Sequence, residues 1–287
     1  LDYCAEIEWF DAQLGEILQQ LEAIGELDRT LIVVTSDNGM PFPRAKANLY
    51  EYGFHVPMAV RWGSASGGRE IDDIVNLIDL MPTFLEAANV AHEGGPAMTG
   101  MSLMPILKSD RSGQVSSQRT ETFSARERHS SSRWNNLGYP QRCIRTPEYL
   151  YIRNFRPERW PAGAPQKFGT GNYPGDLSKL GPMHAAYHDI DASPSLKFLT
   201  SHADDAKYGR FLQLAVQRRP AEELYEIQND AACIHNLAGD PQHEAMRKRL
   251  AERLTTYLKS TGDPRIIDGG DVFESYRRYS RIRTFPK

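Results

Sequence analysis

Leu31-Ile32-Val33-Val34-Thr35-Ser36-Asp37-Asn38-Gly39-Met40-Pro41-Phe42-Pro43-Arg44-Ala45-Lys46-Ala47-Asn48-Leu49-Tyr50 is the stretch on which the fold turns. Thr30 to Thr35 is a short, continuous apolar run, the kind of strand buried on both faces of a parallel sheet. In open α/β sheets ligands bind beyond the carboxyl ends of the strands, and Asp37 and Asn38 fall just there. A carboxylate beside an amide carbonyl supplies two hard oxygen ligands, which suits Ca²⁺ or Mg²⁺ rather than a thiophilic metal. Lys46 places a point positive charge where it can meet an anion held by that metal. Asp-Asn-Gly alone is also an ordinary turn sequence, and on the tripeptide both readings stand.

Upstream, Ile7, Phe10, Leu14, Ile17, Leu18, Leu21 and Ile24 recur every three or four residues, which predicts an amphipathic helix stopped at Gly25. A helix running by a tight turn into a buried strand is half of a βαβ unit, so this region reads as α/β. Downstream the pattern predicts a strand over Val56 to Trp62, a Gly/Ser turn over 63–68 and a helix from Val75 to Val90, with Pro82 near its start. Lys108 to Gln118 is a polar connector. Short strand-like runs follow at Glu121 to Ala125, Gln141 to Thr146 and Tyr149 to Asn154. Phe155 to Pro194 is a long tract dense in Pro, Gly and aromatics, whose composition favours an ordered loop that forms a pocket. Met246, Leu250, Leu254, Tyr257 and Leu258 mark a last amphipathic helix.

Composition narrows the function. The 287 residues carry 34 basic and 37 acidic side chains, a balance that argues against a protein held on nucleic acid by phosphate contacts. No run is long and apolar enough to predict a membrane-spanning helix, and the first residues show no signal-peptide pattern. Cys4, Cys143 and Cys233 have neither disulfide-framework nor zinc spacing. The chain starts at Leu1, inside a helical pattern, and reads as a piece of a longer polypeptide.

Residues 35–50 resemble the sulfatase family of the alkaline-phosphatase-like superfamily, which carries Ser-Asp-Asn/His-Gly after a buried strand. Asp-Asn-Gly-Met-Pro-Phe-Pro, a basic residue and Asn48-Leu49-Tyr50 look most like the heparan N-sulfatase (N-sulfoglucosamine sulfohydrolase) branch. The resemblance extends to Asp79-Leu80-Met81-Pro82-Thr83, Gly100-Met101-Ser102-Leu103-Met104-Pro105, Glu127-Arg128-His129, Glu223-Leu224-Tyr225-Glu226-Ile227 and Asn236-Leu237-Ala238. It implies an α/β sulfatase fold. Residues 1–137 would be the C-terminal part of the large sheet domain, and 138–287 a smaller domain with an antiparallel sheet, the long loop and the terminal helix.

Carried over by position, the resemblance makes Asp37 and Asn38 ligands of an active-site calcium and Lys46 the basic contact to the substrate's sulfate. Fixed positive charge there stabilises the charge spread over a sulfuryl group in transfer. Arg128 and His129 become candidates to reach the sugar or the leaving group, with pairing to surface carboxylates as the alternative. Arg153, Arg156, Arg159 and Trp160 resemble an Arg-Pro-x-x-Trp-Pro stretch of bacterial sulfatases. Arg binds sulfate bidentately and Trp stacks on sugar faces, so Arg159 and Trp160 are candidate substrate contacts. His55, where many sulfatases carry Arg, reads as a supporting or surface residue.

The family's nucleophile is a formylglycine made within Cys/Ser-x-Pro-x-Arg, and no Cys or Ser of this sequence sits in that motif. The expectation is therefore a calcium-dependent sulfatase acting on a sugar sulfate ester or sulfamate, N-sulfoglucosamine favoured. Its nucleophile would lie in a preceding segment, and these residues by themselves would not turn over. The alternatives are a phosphomonoester or phosphonate ester hydrolase of the same superfamily, and an inactive protein that binds sulfated glycans. The implied partner is a sulfated carbohydrate, with no nucleic acid or membrane. The resemblance implies a periplasmic, secreted or lysosomal location.

Overall fold

The computed structural model describes residues 2–63, 65, 67–130, 132–133, 137–163, 165, 187–277 and 279. They fall into two compact units, one of residues 1–36 with 57–120 and one of residues 37–56 with 121–287.

The first unit opens with the expected helix, Asp2–Ala23. It stops because Gly25 takes a left-handed φ of 73°, and the N–H groups of Gly25 and Glu26 turn back to cap the carbonyls of Glu22 and Leu21. None of its residues is buried, and Ile7, Phe10 and Ile17 of the apolar stripe lie exposed. β1 (Leu31–Thr35) pairs antiparallel with β2 (Met58–Trp62), from Leu31 opposite Trp62 to Thr35 opposite Met58. This corrects the expectation of a parallel strand buried on both faces. Among the described residues β1 has one strand neighbour, so its side chains are only half-buried.

The apolar core of this unit gathers Leu103, Met104, Ile106 and Leu107 against Leu31, Met58, Val60 and Leu80. The helix expected over 75–90 is shorter, a 3₁₀ turn at Leu77–Asp79 running into Leu80–Ala87. Buried Asp79 explains the Asp-x-x-Pro-Thr segment. It accepts from the N–H groups of Asn76 (3.0 Å) and Met101 (2.8 Å) and from Arg119 (2.7 Å). Thr83 Oγ1 donates to the Asp79 carbonyl and accepts from Leu103 N–H at 2.8 Å. Gly100 is required by close approach, since a Cβ there would stand 2.2 Å from the Ile78 carbonyl oxygen. Two motifs noted separately in the sequence are thus one clasp.

The second unit is built on an antiparallel sheet of β3 (Thr122–Arg126), β4 (Gln141–Arg145), β5 (Tyr149–Asn154) and β6 (Glu222–Glu226), in that order. Alternating side chains divide between its two faces. Ile144, Tyr151 and Leu224 pack on Leu250, Leu254 and Leu258 of the Glu244–Ser260 helix, as the sequence pattern predicted. Cys143, Leu150, Ile152 and Tyr225 pack on Leu49, Tyr50, Ile227 and Cys233. The second of these layers pins the segment 37–56 to the sheet. Helices Pro194–Ser201 and Gly209–Val216 follow the long tract, and the sequence reading placed no helix there.

Candidate functional site

The segment 37–56 closes on itself. Gly39 N–H donates to the Gly53 carbonyl at 3.0 Å, and Lys46 N–H donates to the Met40 carbonyl at 2.9 Å. A Cβ on Gly39 would stand 2.0 Å from the Tyr52 carbonyl oxygen, and one on Gly53 2.3 Å from that of Asn48. Arg44 and Ala47, either side of Lys46, adopt left-handed φ values of 68° and 63°. Each costs on the order of 1–2 kcal/mol for an L-residue, so the surroundings must enforce them. They do so through long-range bonds. Arg44 donates to the Leu214 carbonyl at 2.7 Å and lies over the Tyr50 ring; Tyr50 OH donates to buried Glu223 at 2.8 Å; Asn48 Oδ1 accepts from Arg219 at 2.6 Å.

On this segment Asp37 is exposed and Asn38 half-buried. The Asn38 amide nitrogen donates to the Gly39 carbonyl at 3.0 Å, which turns its oxygen the opposite way. A carboxylate and an amide oxygen in adjacent positions match the donor chemistry of a hard divalent cation. Ca²⁺ takes about six to eight oxygens, and among the described residues no group of three or more His, Cys, Asp or Glu is placed to hold a metal. By donor type Asp37 and Asn38 suit such an ion, and together they offer two of the oxygens it takes.

Lys46 Nζ lies 2.9 Å from Asp191 Oδ2. Two residues before it, buried Asp189 is reached by Arg126, by Arg133 at 2.7 Å, by Ser130 at 2.6 Å and by His129 Nδ1 at 3.2 Å. Burial works against the charge of Asp189, but the His129 bond, the two guanidinium charges and Ser130 outweigh it and hold its carboxyl far below the usual range. Arg126 is lowered to about 10, chiefly by burial and partly by Arg133 and Arg219. Lys46 and His129, named from the sequence, are thus held by carboxylates two positions apart. Asp189, Asp191, Arg126 and Arg133 were missed, because nothing local in the sequence marks contacts over such separations.

The other expected sugar contacts sit elsewhere in the same unit. Arg128 and Arg159 converge on one carboxylate, Glu274, at 2.9 and 2.7 Å. Burial raises the pKa of Glu274, but Arg159, the Gly138 N–H and Arg128 bring it below its ordinary value. Arg218 stacks over Trp160, 4.7 Å from the ring centroid. His55 Nδ1 lies 2.8 Å from Glu51, as a supporting residue would. Cys143 and Cys233 are buried free thiols, pushed up to about 12 mainly by burial, so neither offers a thiolate at neutral pH. Residues 164 and 166–186 of the long tract expected to form a pocket lie outside the described residues.

Comparison with known proteins finds sulfatases. The Sulfatase family model matches residues 1–90. Human N-sulphoglucosamine sulphohydrolase is 25% identical over 278 residues, covering 92% of this chain and 48% of its own length. The chain resembles the sulfatases, by the family model over residues 1–90 and by this relative over most of its length. An ulvan-active sulfatase of Formosa agariphila is 24% identical over 265 residues, covering 91% of this chain and 43% of its own length. The chain therefore spans less than half the length of either relative. A solved structure of a protein in complex with its substrate D-glucosamine-2-N,6-O-disulfate superposes with a TM-score of 0.54 at 22% identity, over 88% of this chain and 39% of the other. At that identity the likeness shows the sulfatase fold alone.

Proposed function

We propose that the protein containing this chain is a calcium-dependent hydrolase of sulfate esters or sulfamates on sugars, with N-sulfoglucosamine the favoured substrate. The observation that carries the proposal is the constrained segment 37–56, which presents Asp37, Asn38 and Lys46 from one self-closed loop in which left-handed Arg44 and Ala47 stand either side of Lys46. Asp37 and Asn38 would hold the calcium. Bound there, the ion would supply Lewis-acid stabilisation of a sulfuryl oxygen. Lys46 has three N–H donors, one engaged by Asp191, and the others serve the sulfuryl oxygens as charge develops on them.

His129, oriented through Nδ1 by Asp189, and Arg128 belong on the sugar or leaving-group side, with Arg159 and Trp160 as further sugar contacts. Binding through the arginines requires exchange of part of their bonding to Glu274. Residues 1–137 are proposed as part of the catalytic domain and 138–287 as the smaller one. The formylglycine nucleophile is placed in a segment outside these residues, so the isolated 287-residue chain would be inactive. Among the described residues no helix is long and apolar enough to cross a membrane; a periplasmic, secreted or lysosomal location rests on the family alone.

The test is release of inorganic sulfate from N-sulfoglucosamine and from O-sulfated sugars by the full-length protein, with phosphate and phosphonate esters in parallel. Sulfate release that requires Ca²⁺ supports the proposal. Hydrolysis confined to the phosphorus esters, or calcium-independent glycan binding without turnover, overturns it.

A further inference from the structure

We infer that Asp191 is a specificity-determining residue: its carboxylate accepts a hydrogen bond from a sugar hydroxyl beside the sulfated atom, while Lys46 holds the sulfuryl group. The inference rests on reading this chain as part of a sugar sulfatase. Lys46 Nζ donates to Asp191 Oδ2 at 2.9 Å, and the two side chains are 29% and 42% exposed, so a ligand can reach both. Among the described residues Asp191 Oδ1 makes no hydrogen bond. A carboxylate accepts at about four lone-pair sites, and an ammonium donates three bonds.

The pair therefore presents an acceptor and a donor side by side. A lone lysine would attract any anion. A carboxylate at its side repels a bare oxyanion, and favours a ligand that brings an O–H donor together with its sulfuryl group. That arrangement selects a sugar sulfate over inorganic sulfate, its own product.

The placement of Asp191 is rigid. Asp189, two residues earlier, is buried under four side-chain donors, and its N–H donates to the Ala162 carbonyl at 3.1 Å. Ile190 N–H donates to the Tyr187 carbonyl at 2.9 Å. A site held by a packed and hydrogen-bonded support keeps the geometry that discrimination requires.

The experiment compares wild type with Asp191→Asn in the full-length protein. Steady-state kinetics use a sugar sulfate and its deoxy analogue lacking the neighbouring hydroxyl, and calorimetry measures inorganic sulfate and both sugars. The expected result is a rise of about tenfold in KM for the hydroxylated sugar with little change in kcat, none for the deoxy analogue, and sulfate binding about tenfold tighter. Equal losses on both sugars, or sulfate binding unchanged or weaker, overturn the inference, because a purely structural role moves all ligands together.

Thermal unfolding verifies that the variant is folded, and Asp191→Ser repeats the test if it is not. If wild type hydrolyses neither sugar, the proposed function fails separately. Asp191 is then judged by the calorimetric comparison, which needs no turnover, and absence of any binding overturns both.

Discussion

Arg145 grips both oxygens of Glu51, with Nε 2.9 Å from Oε2 and Nη2 2.8 Å from Oε1. Glu51 is buried at the end of the segment that carries Lys46, and it also receives His55 Nδ1 at 2.8 Å. The pair ties that segment to β4. Burial disfavours the Glu51 charge, but Arg145 and then His55 outweigh it and lower its pKa to about 2. The same hydrogen bond raises His55 against the lesser effect of burial.

Stability should respond at both ends of the pH scale. The lowered Glu51 contributes stability present above its ordinary value of 4.5 and lost as pH falls toward about 2. The raised His55 contributes stability present below 6.5 and lost as pH rises through its folded value. Glu51→Gln leaves the Arg145 charge without its carboxylate and should cost roughly 2–4 kcal/mol at neutral pH. Denaturant titrations at several pH values check this. A Glu51→Gln variant that keeps the full acid-limb slope of wild type would remove Glu51 from the account.

Gly39 yields a second prediction. Its absent Cβ is what lets the Tyr52 carbonyl approach, and Asp37 and Asn38 are the residues just before it. Gly39→Ala should destabilise by about 1–3 kcal/mol and displace the two candidate calcium ligands. Calcium affinity measured by calorimetry should fall at least tenfold in the folded fraction. Gly15→Ala, in mid-helix where nothing stands within 4 Å of an added Cβ, should leave calcium affinity unchanged and stabilise by about 0.5–1 kcal/mol.

The amphipathic helix, three strands of the second sheet and the terminal helix were legible because each is a local period that the side chains repeat. Tyr149–Asn154 was found at its observed bounds. The pairing of β1 was not legible. An apolar run shows that a strand is buried but not which neighbour covers it, and here the neighbour is antiparallel β2. At the site, Asp37, Asn38 and Lys46 stood out through one contiguous motif. The carboxylates that hold the other candidates did not, because Asp189 meets His129 and Glu274 meets Arg128 across 60 and 146 residues of chain. Such pairs leave no spacing signal in one sequence.

Tyr50 and Glu223 give a prediction about the support of the loop. Tyr50 OH at 2.8 Å and Tyr225 OH at 2.7 Å share Glu223 Oε2, and Asn154 donates to Oε1 at 2.7 Å. Burial, with Glu223 adding to it against Arg219, pushes the Tyr50 hydroxyl far above its ordinary range, so it stays a donor at any working pH. Tyr50→Phe removes one donor and should cost about 1–2 kcal/mol. Glu223→Leu leaves two hydroxyls and one of the two Asn154 amide N–H groups without an acceptor, the other still reaching the Pro220 carbonyl at 2.7 Å, and should cost more. Chemical denaturation of the two variants checks the order, and the reverse order would mean the network adds nothing beyond packing.

Metal removal tests Asp37 most directly. If Asp37 and Asn38 carry part of a calcium shell, chelation should abolish sulfate release by the full-length protein, and added Ca²⁺ should restore it. Asp37→Asn keeps the size of the side chain and removes one negative charge, so calcium affinity should fall by about tenfold or more, since affinity follows ligand charge. Asp37 is exposed, so the substitution should leave the unfolding midpoint measured without calcium unchanged. That separation is what identifies a ligand rather than a structural residue. A variant that binds calcium as wild type does, with activity intact, would take Asp37 out of the site; one that loses stability without calcium would place it in the scaffold instead.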